Sequence, residues 1–194
     1  MDQVVKRALT DAAPMAIPAV PFGMVLGVAM TDSAMPIAVS WASNPIIFAG
    51  AAQLVLISLA GTTTWLAMVT TAVVLNLRHV MYSAAVSSRF ADQPLWFRIA
   101  GPIVLIDQIF ALVIAWPELK GDEFRRAYMA TAALFLVVWY GSVSAGVLAG
   151  DAIPDSWQIE SAPMIMFLSI VVLGLHNYLI KSLTSLKLRQ LKDK

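Results

Sequence analysis

The 194-residue chain is 59% hydrophobic and only 13% charged, with a mean hydropathy of +0.77. Soluble domains carry about 25% charged residues, so this composition excludes an ordinary water-soluble domain and points to an integral membrane protein. A net charge of +1 without a basic patch excludes a nucleic-acid partner, and the lack of cysteine excludes disulfides, thiolate metal sites and a cysteine nucleophile.

A crossing needs about 20 apolar residues, so the length predicts an all-α fold of about six transmembrane helices in one polytopic domain over residues 1–194. The N-terminus opens with Asp2, Lys6, Arg7 and Asp11 and lacks a small-residue cleavage site, so it reads as a structural segment and not as a signal peptide. The first apolar run extends from about Ala12 to Met30 and is punctuated by Pro14, Pro18 and Pro21, then Gly23 and Gly27. An interior proline removes a backbone hydrogen bond and clashes with the preceding turn. The run is therefore expected to be a broken helix, of the kind transporters use to aim half-helix ends at a solute. The alternative places Pro14 and Pro18 in the helix entrance, where a first-turn proline costs little.

A second run covers about Ile37 to Ala60, with Asn44-Pro45 near its start and Gly50-Ala51-Ala52-Gln53 in its middle. Gln53 needs a partner at depth, either interhelical or a solute. The third run, about Trp65 to Ser87, carries Asn76, Arg78, His79 and Tyr82, groups that are costly in a bilayer and favour a bundle interior or a wet cavity. Asn76, His79, Tyr82 and Ser83 share one helical face, while Arg78 shares a side with Tyr82 four residues on. Arg78 is either part of a functional network or snorkels to the interface.

After the polar connection Ser88 to Pro94, a fourth run, about Ile99 to Trp116, is expected as another crossing with Asp107 at its centre. No interface lies within reach of so short a carboxylate, which must be paired, hydrated or protonated. Pairing with Arg78 competes there with a proton relay or an amine site. A mixed-charge loop, Pro117 to Arg126, leads to a fifth run, about Ala127 to Ala149, whose Ser142, Ser144, Gly146 and Gly150 read as close helix packing. The acidic loop Asp151 to Glu160, a sixth run from about Ala162 to Leu183 and the basic tail Lys187 to Lys194 complete the chain.

With six crossings, Lys6-Arg7, the Lys120/Arg125/Arg126 loop and the tail share one side, which the positive-inside rule makes cytoplasmic for both termini. Arg89 and Arg98 fall on the other side and are discordant. Val73-Val74-Leu75-Asn76-Leu77 echoes Val171-Val172-Leu173-Gly174-Leu175, an arrangement compatible with two three-span halves of opposite orientation.

Pro21-Phe22-Gly23 with Gly27, Phe48-Ala49-Gly50-Ala51-Ala52-Gln53, and Asn76-Leu77-Arg78-His79 with Tyr82-Ser83 resemble, in order and spacing, the AzlC-type large subunit of bacterial branched-chain amino-acid exporters. The segment Leu105 to Leu112 around Asp107, and Trp139 with Gly141 and Gly146, continue the likeness. Gln108 departs from it where the family usually has an acidic residue, and Gln158 to Ala162 follows the family pattern only loosely. Members commonly continue with apolar sequence where this chain turns basic, so a C-terminal membrane hairpin is expected to be missing. The resemblance implies export of hydrophobic L-amino acids across the bacterial cytoplasmic (inner) membrane, with a small membrane partner of the AzlD type; no cofactor or metal is expected. Asp107, Arg78, His79, Asn76, Tyr82, Gln53, Pro21 and Gly23 are the candidate binding or coupling residues.

Independently of the resemblance, a zwitterion needs a cationic or helix-N-terminal site for its carboxylate and an anionic site for its ammonium. Arg78 or the broken first helix suits the former, Asp107 the latter. No Walker P-loop is present, so energy is expected from an ion gradient, with Asp107 or His79 as proton carrier. Two other classes compete. In a six-span intramembrane serine protease, Ser142 or Ser144 would need His176 within hydrogen-bond reach, and the Gly-x-Ser-Gly signature is missing. In a non-catalytic assembly subunit, the buried polar groups would only fix helix register. The chain is not expected to be an enzyme.

Overall fold

The computed structural model describes residues 2–150, and the architecture there is entirely helical. The sixth apolar run, the Val171 to Leu175 echo, His176 and the basic tail lie outside the described residues. Helix α1 (Gln3–Ala16) starts on Asp2, whose carboxylate accepts from the Val4 amide at 3.1 Å. Pro18 then has no N–H to continue the ladder and its ring crowds the carbonyl four residues back, so the chain restarts as α2 (Ala19–Asp32). The two are bent by 53°, so the first apolar run is broken as the prolines predict, and together they are long and apolar enough to cross a membrane.

The second run also breaks. Helix α3 (Ile37–Ile47) stops where Phe48 adopts a left-handed backbone with φ of 38°, and α4 (Gly50–Leu59) begins two residues later. Helix α5 (Trp65–Phe90) is unbroken over 26 residues, capped by Thr64 accepting from Ala67. The fourth run divides into α6 (Leu95–Ala100), a 3-10 turn over Gly101–Val104, an extended link at Leu105 and Ile106, and α7 (Asp107–Ala115). Helix α8 (Gly121–Ala149) is by itself long and apolar enough to cross a bilayer.

Contacts between the loops fix where each element begins and ends. Asp2 pairs with Arg126, Arg7 with Glu118, and the Trp116 indole donates to Asp11, which puts the start of α1, the 116–120 loop and the start of α8 at one end. Arg89 donates to the carbonyls of Trp116 and Leu119, and Gln93 to that of Gly121, so the connection after α5 lies at that same end. At the opposite end Gly61 lies against Ala34, joining the loops on either side of α3 and α4. Helices α2 and α8 run parallel: Gly23 sits under Ser142, and Gly146 under the Met24 carbonyl, so closely that a Cβ on either would approach to 2.0 and 2.1 Å.

These contacts correct the expectation that the second and fourth runs cross. Each is a hairpin that returns to the end it came from, α3–α4 from one end and α6–α7 from the other. At 1.5 Å per residue a ten-residue limb reaches about 15 Å, half of a ~30 Å hydrocarbon core. The physical reason lies in the tips. The left-handed turn at Phe48 and the extended Leu105-Ile106 link interrupt the ladder where only protein or a cavity can satisfy the freed backbone groups. Among the described residues, α8 and the bent pair α1–α2 are long and apolar enough to cross a membrane, α5 runs from one end to the other, and the two hairpins return to the end they came from.

The same geometry removes the discord of Arg89 and Arg98. Because α6–α7 does not cross, Lys6, Arg7, Arg89, Arg98, Lys120, Arg125 and Arg126 all lie at the end that holds the N-terminus. Among the described residues the other end has no lysine or arginine and carries Asp32. One apolar core, with Phe90, Phe97, Phe124 and Tyr128 in mutual ring contact, fills the basic end. A second, built on Phe22, Leu26, Met30, Ile57 and Val143, fills the opposite half. The outer face of α5 (Val69, Val73, Val80) is exposed and apolar, as a lipid-facing surface requires.

Candidate functional site

Between the two cores, at the hairpin tips, lies a small cavity of about 40 Å³. Its walls are the beginnings of three helices: Ala19 of α2, Ala49 to Ala51 at α4, and Ile106 to Gln108 at α7. None of these helices has a side-chain N-cap, and the positive ends of three helix dipoles collect around one space. Phe22, Phe48, Phe135 and Trp139 supply the apolar remainder. The volume holds a few waters at most. A leucine enters only if a wall moves.

Arg78 and His79 reach this cavity from the middle of α5, and Asp107 from the first position of α7. Arg78 Nη1 lies 3.3 Å from Asp107 Oδ2, and the two side chains are 25% and 15% exposed. Tyr82 donates its hydroxyl to Asp107 Oδ1 at 2.6 Å, while its ring stacks on Phe110 at 4.4 Å and meets the His79 ring edge-on at 5.8 Å. Asp107 is thus not the mid-helix carboxylate the sequence suggests; it opens a half-helix, where its charge faces the α7 dipole favourably. The pairing of Arg78 with Asp107 answers the choice between a network and snorkelling: Arg78 points inward.

The remaining candidates lie elsewhere. Asn76 borders a separate crevice with His79, Ile46, Phe48 and Ile103. Gln53, fully buried, donates to Ser43 Oγ and Asn44 Oδ1, both at 3.0 Å, and Asn44 Oδ1 also accepts from the Trp139 indole at 3.1 Å. Pro21 is exposed in the first turn of α2, and Gly23 serves the contact with α8. Sequence reasoning did not single out Ala19, Phe48 to Ala51 or Trp139 as cavity walls. A signal for the tips exists: Pro45-Ile46-Ile47 and Pro102-Ile103-Val104 repeat one pattern shortly before each break. Ser142 Oγ donates to its own helix at Trp139, and Ser144 accepts from the Trp41 indole, so both hydroxyls serve packing contacts.

Residues 14–153 match the AzlC protein family, about seven-tenths of the chain and every element that builds the cavity. The chain belongs to the AzlC family. Its members are membrane proteins associated with transport, in keeping with the apolar outer surface and the polar interior described above. A protein of Archaeoglobus fulgidus described as an uncharacterized membrane protein is similar, 25% identical over 157 residues covering 81% of this AzlC chain and 68% of that protein. No solved structure matches.

Proposed function

We propose that this AzlC protein is a secondary transporter that exports branched-chain or other hydrophobic L-amino acids across the bacterial cytoplasmic membrane. It would be driven by an ion gradient and work with a small AzlD-type membrane subunit. The observation that carries the reading is the Arg78–Asp107 pair, one charge of each sign 3.3 Å apart in a cavity ringed by helix starts and aromatic rings, with His79 and Gln108 also in its wall. Removing one member of a buried pair strands the other charge at a cost of about 3–5 kcal/mol. A zwitterion brings both charges at once. Its carboxylate takes Arg78 and the helix amides, its ammonium takes Asp107, and the aliphatic chain rests on Phe22, Phe135 and Trp139. His79 and Asp107 are the candidate proton carriers. The basic end faces the cytoplasm by the positive-inside rule, which puts the N-terminus there.

The test is efflux of leucine, isoleucine, valine and methionine from peptide-loaded bacterial cells, without the chain, with wild type, and with Asp107→Asn, each alongside the small partner. Wild-type efflux that Asp107→Asn abolishes at equal membrane abundance is the expected result. Efflux that survives the change removes the site. A protein that assembles normally yet moves none of the four solutes favours a structural role for the buried polar groups. Collapse of the proton gradient is expected to stop export; unchanged export would eliminate proton coupling.

A further inference from the structure

We propose that Asn44, Gln53 and Trp139 form a second gate of the cavity, opening it toward the acidic end, as the counterpart of the Arg78, Tyr82 and Asp107 gate that opens toward the basic end. The proposal rests on the transport reading above and deepens it by assigning the moving parts.

The ground is a numerical coincidence of elements. An offset of 57 residues carries α4, which starts at Gly50, onto α7, which starts at Asp107, and the Phe48-Ala49 break onto Leu105-Ile106. It carries α3 (Ile37–Ile47) onto α6 with its 3-10 turn (95–104), and α5 (Trp65–Phe90) onto α8 to within one or two residues at each end. Since the hairpins enter from opposite ends, the two units, hairpin plus following crossing, are inverted copies. The same offset turns Tyr82 into Trp139 and Phe110 into Gln53.

The contacts obey this correspondence. Tyr82, on the crossing of the first unit, packs on the tip of the second hairpin and donates to Asp107 at 2.6 Å. Trp139, on the crossing of the second unit, packs on the tip of the first hairpin and donates to Asn44 at 3.1 Å. Its ring lies so close to Gly50 that a Cβ there would meet it at 2.5 Å. Each hairpin tip is therefore pinned to the crossing helix of the other unit by an aromatic donor, joined at the second tip by the Arg78–Asp107 ion pair. Releasing a pin frees that hairpin and uncovers the cavity toward the hairpin's own end. Both pins are made here, and the cavity is only about 40 Å³. The second pin is under-satisfied: Gln53 Oε1 is buried without a hydrogen-bond partner among the described residues, so opening it lets water reach a group the closed form leaves bare. One gate held by charges and one by amides gives the two ends different triggers, a zwitterion for the first and hydration for the second.

The chain has no cysteine, so a single Ala51→Cys in the cavity wall reports access directly. The full-length protein in membranes is labelled with a membrane-impermeant maleimide, applied to right-side-out spheroplasts or to inside-out vesicles. Trp139→Phe, which keeps a ring and loses the donor, is expected to raise labelling from the acidic-end face only, by roughly fivefold to tenfold, the shift produced by losing one hydrogen bond. Tyr82→Phe is expected to raise it from the basic-end face only. Labelling that rises equally from both faces, or does not change, or rises from the opposite face, overturns the proposal. Asn44→Ala supplies the same readout if Trp139→Phe lowers membrane abundance. Because labelling needs no solute, face-selective access without amino-acid efflux would leave the gates standing and sink the substrate reading alone.

Discussion

At the scale of single residues, close approach governs more of this protein than charge does. Gly146 has the Met24 carbonyl where its Cβ would sit, and a backbone oxygen cannot move aside as a flexible side chain can. Gly146→Val is expected to lower the thermal midpoint of the detergent-solubilised protein, at a cost of about 1–3 kcal/mol or more from overpacking. Gly141→Ala on the same helix is the control: a methyl there meets nothing within 4 Å, and helix propensity favours it by up to about 1 kcal/mol. A midpoint for Gly146→Val equal to wild type would show that α2 and α8 are not pressed together as described. Arg78 and Asp107, by contrast, form a partly buried ion pair whose space an apolar pair of similar size would fill with less desolvation.

At the scale of elements, the hairpins depend on how their ends are tied. Arg89, in the last turn of α5, donates to the carbonyls of Trp116 and Leu119 at 2.9 and 2.6 Å and lies 4.7 Å over the Phe124 ring. One cation thereby clamps the exit of the second hairpin to the entrance of α8. Arg89→Ala is expected to cost roughly 2–3 kcal/mol, the range for hydrogen bonds from a charged donor, and to expose the 116–120 loop to protease. Arg89→Lys should recover part of the loss, because an ammonium cannot serve both carbonyls in the fixed fork of a guanidinium. Cleavage rates that do not rise in Arg89→Ala would mean the loop is held by Arg7–Glu118 and Trp116–Asp11 instead.

At the scale of the whole molecule, the arrangement predicts sidedness. Asp92 and Lys120 flank the second hairpin and are exposed at one end, while Thr63 is exposed at the other. Single Asp92→Cys and Lys120→Cys are expected to react with an impermeant maleimide from the same membrane face, and Thr63→Cys from the opposite one. If Asp92→Cys and Lys120→Cys react from different faces, the fourth run crosses and the hairpin is wrong. The result also fixes which face the seven terminal-end cations occupy, and with it the orientation from which export would be read.

Much of this was legible in the sequence. Apolar runs and low charge gave an all-helical, lipid-facing protein, because a chain this apolar must satisfy its backbone within its own helices. The prolines located the break in the first span, because Pro18 removes a ladder bond wherever it is placed. Asp107 and Arg78 stood out because charges at depth demand partners, and the structure brings them together with His79 and Tyr82. The hairpins were not legible, since a ten-residue limb followed by another reads in hydropathy like one continuous crossing. Gln53 and Gly23 could not be separated from the site either: a buried amide or glycine looks the same in sequence whether it lines a cavity or a helix contact. Which residues face one another across the hairpin tips depends on the return direction of each limb, and that direction is set by contacts such as Arg89 with Trp116, residues 27 apart in sequence. Sequence by itself determined the kinds of groups the interior must accommodate; only the tertiary structure decided which of them meet, because long-range packing chooses between crossing the layer and turning back within it.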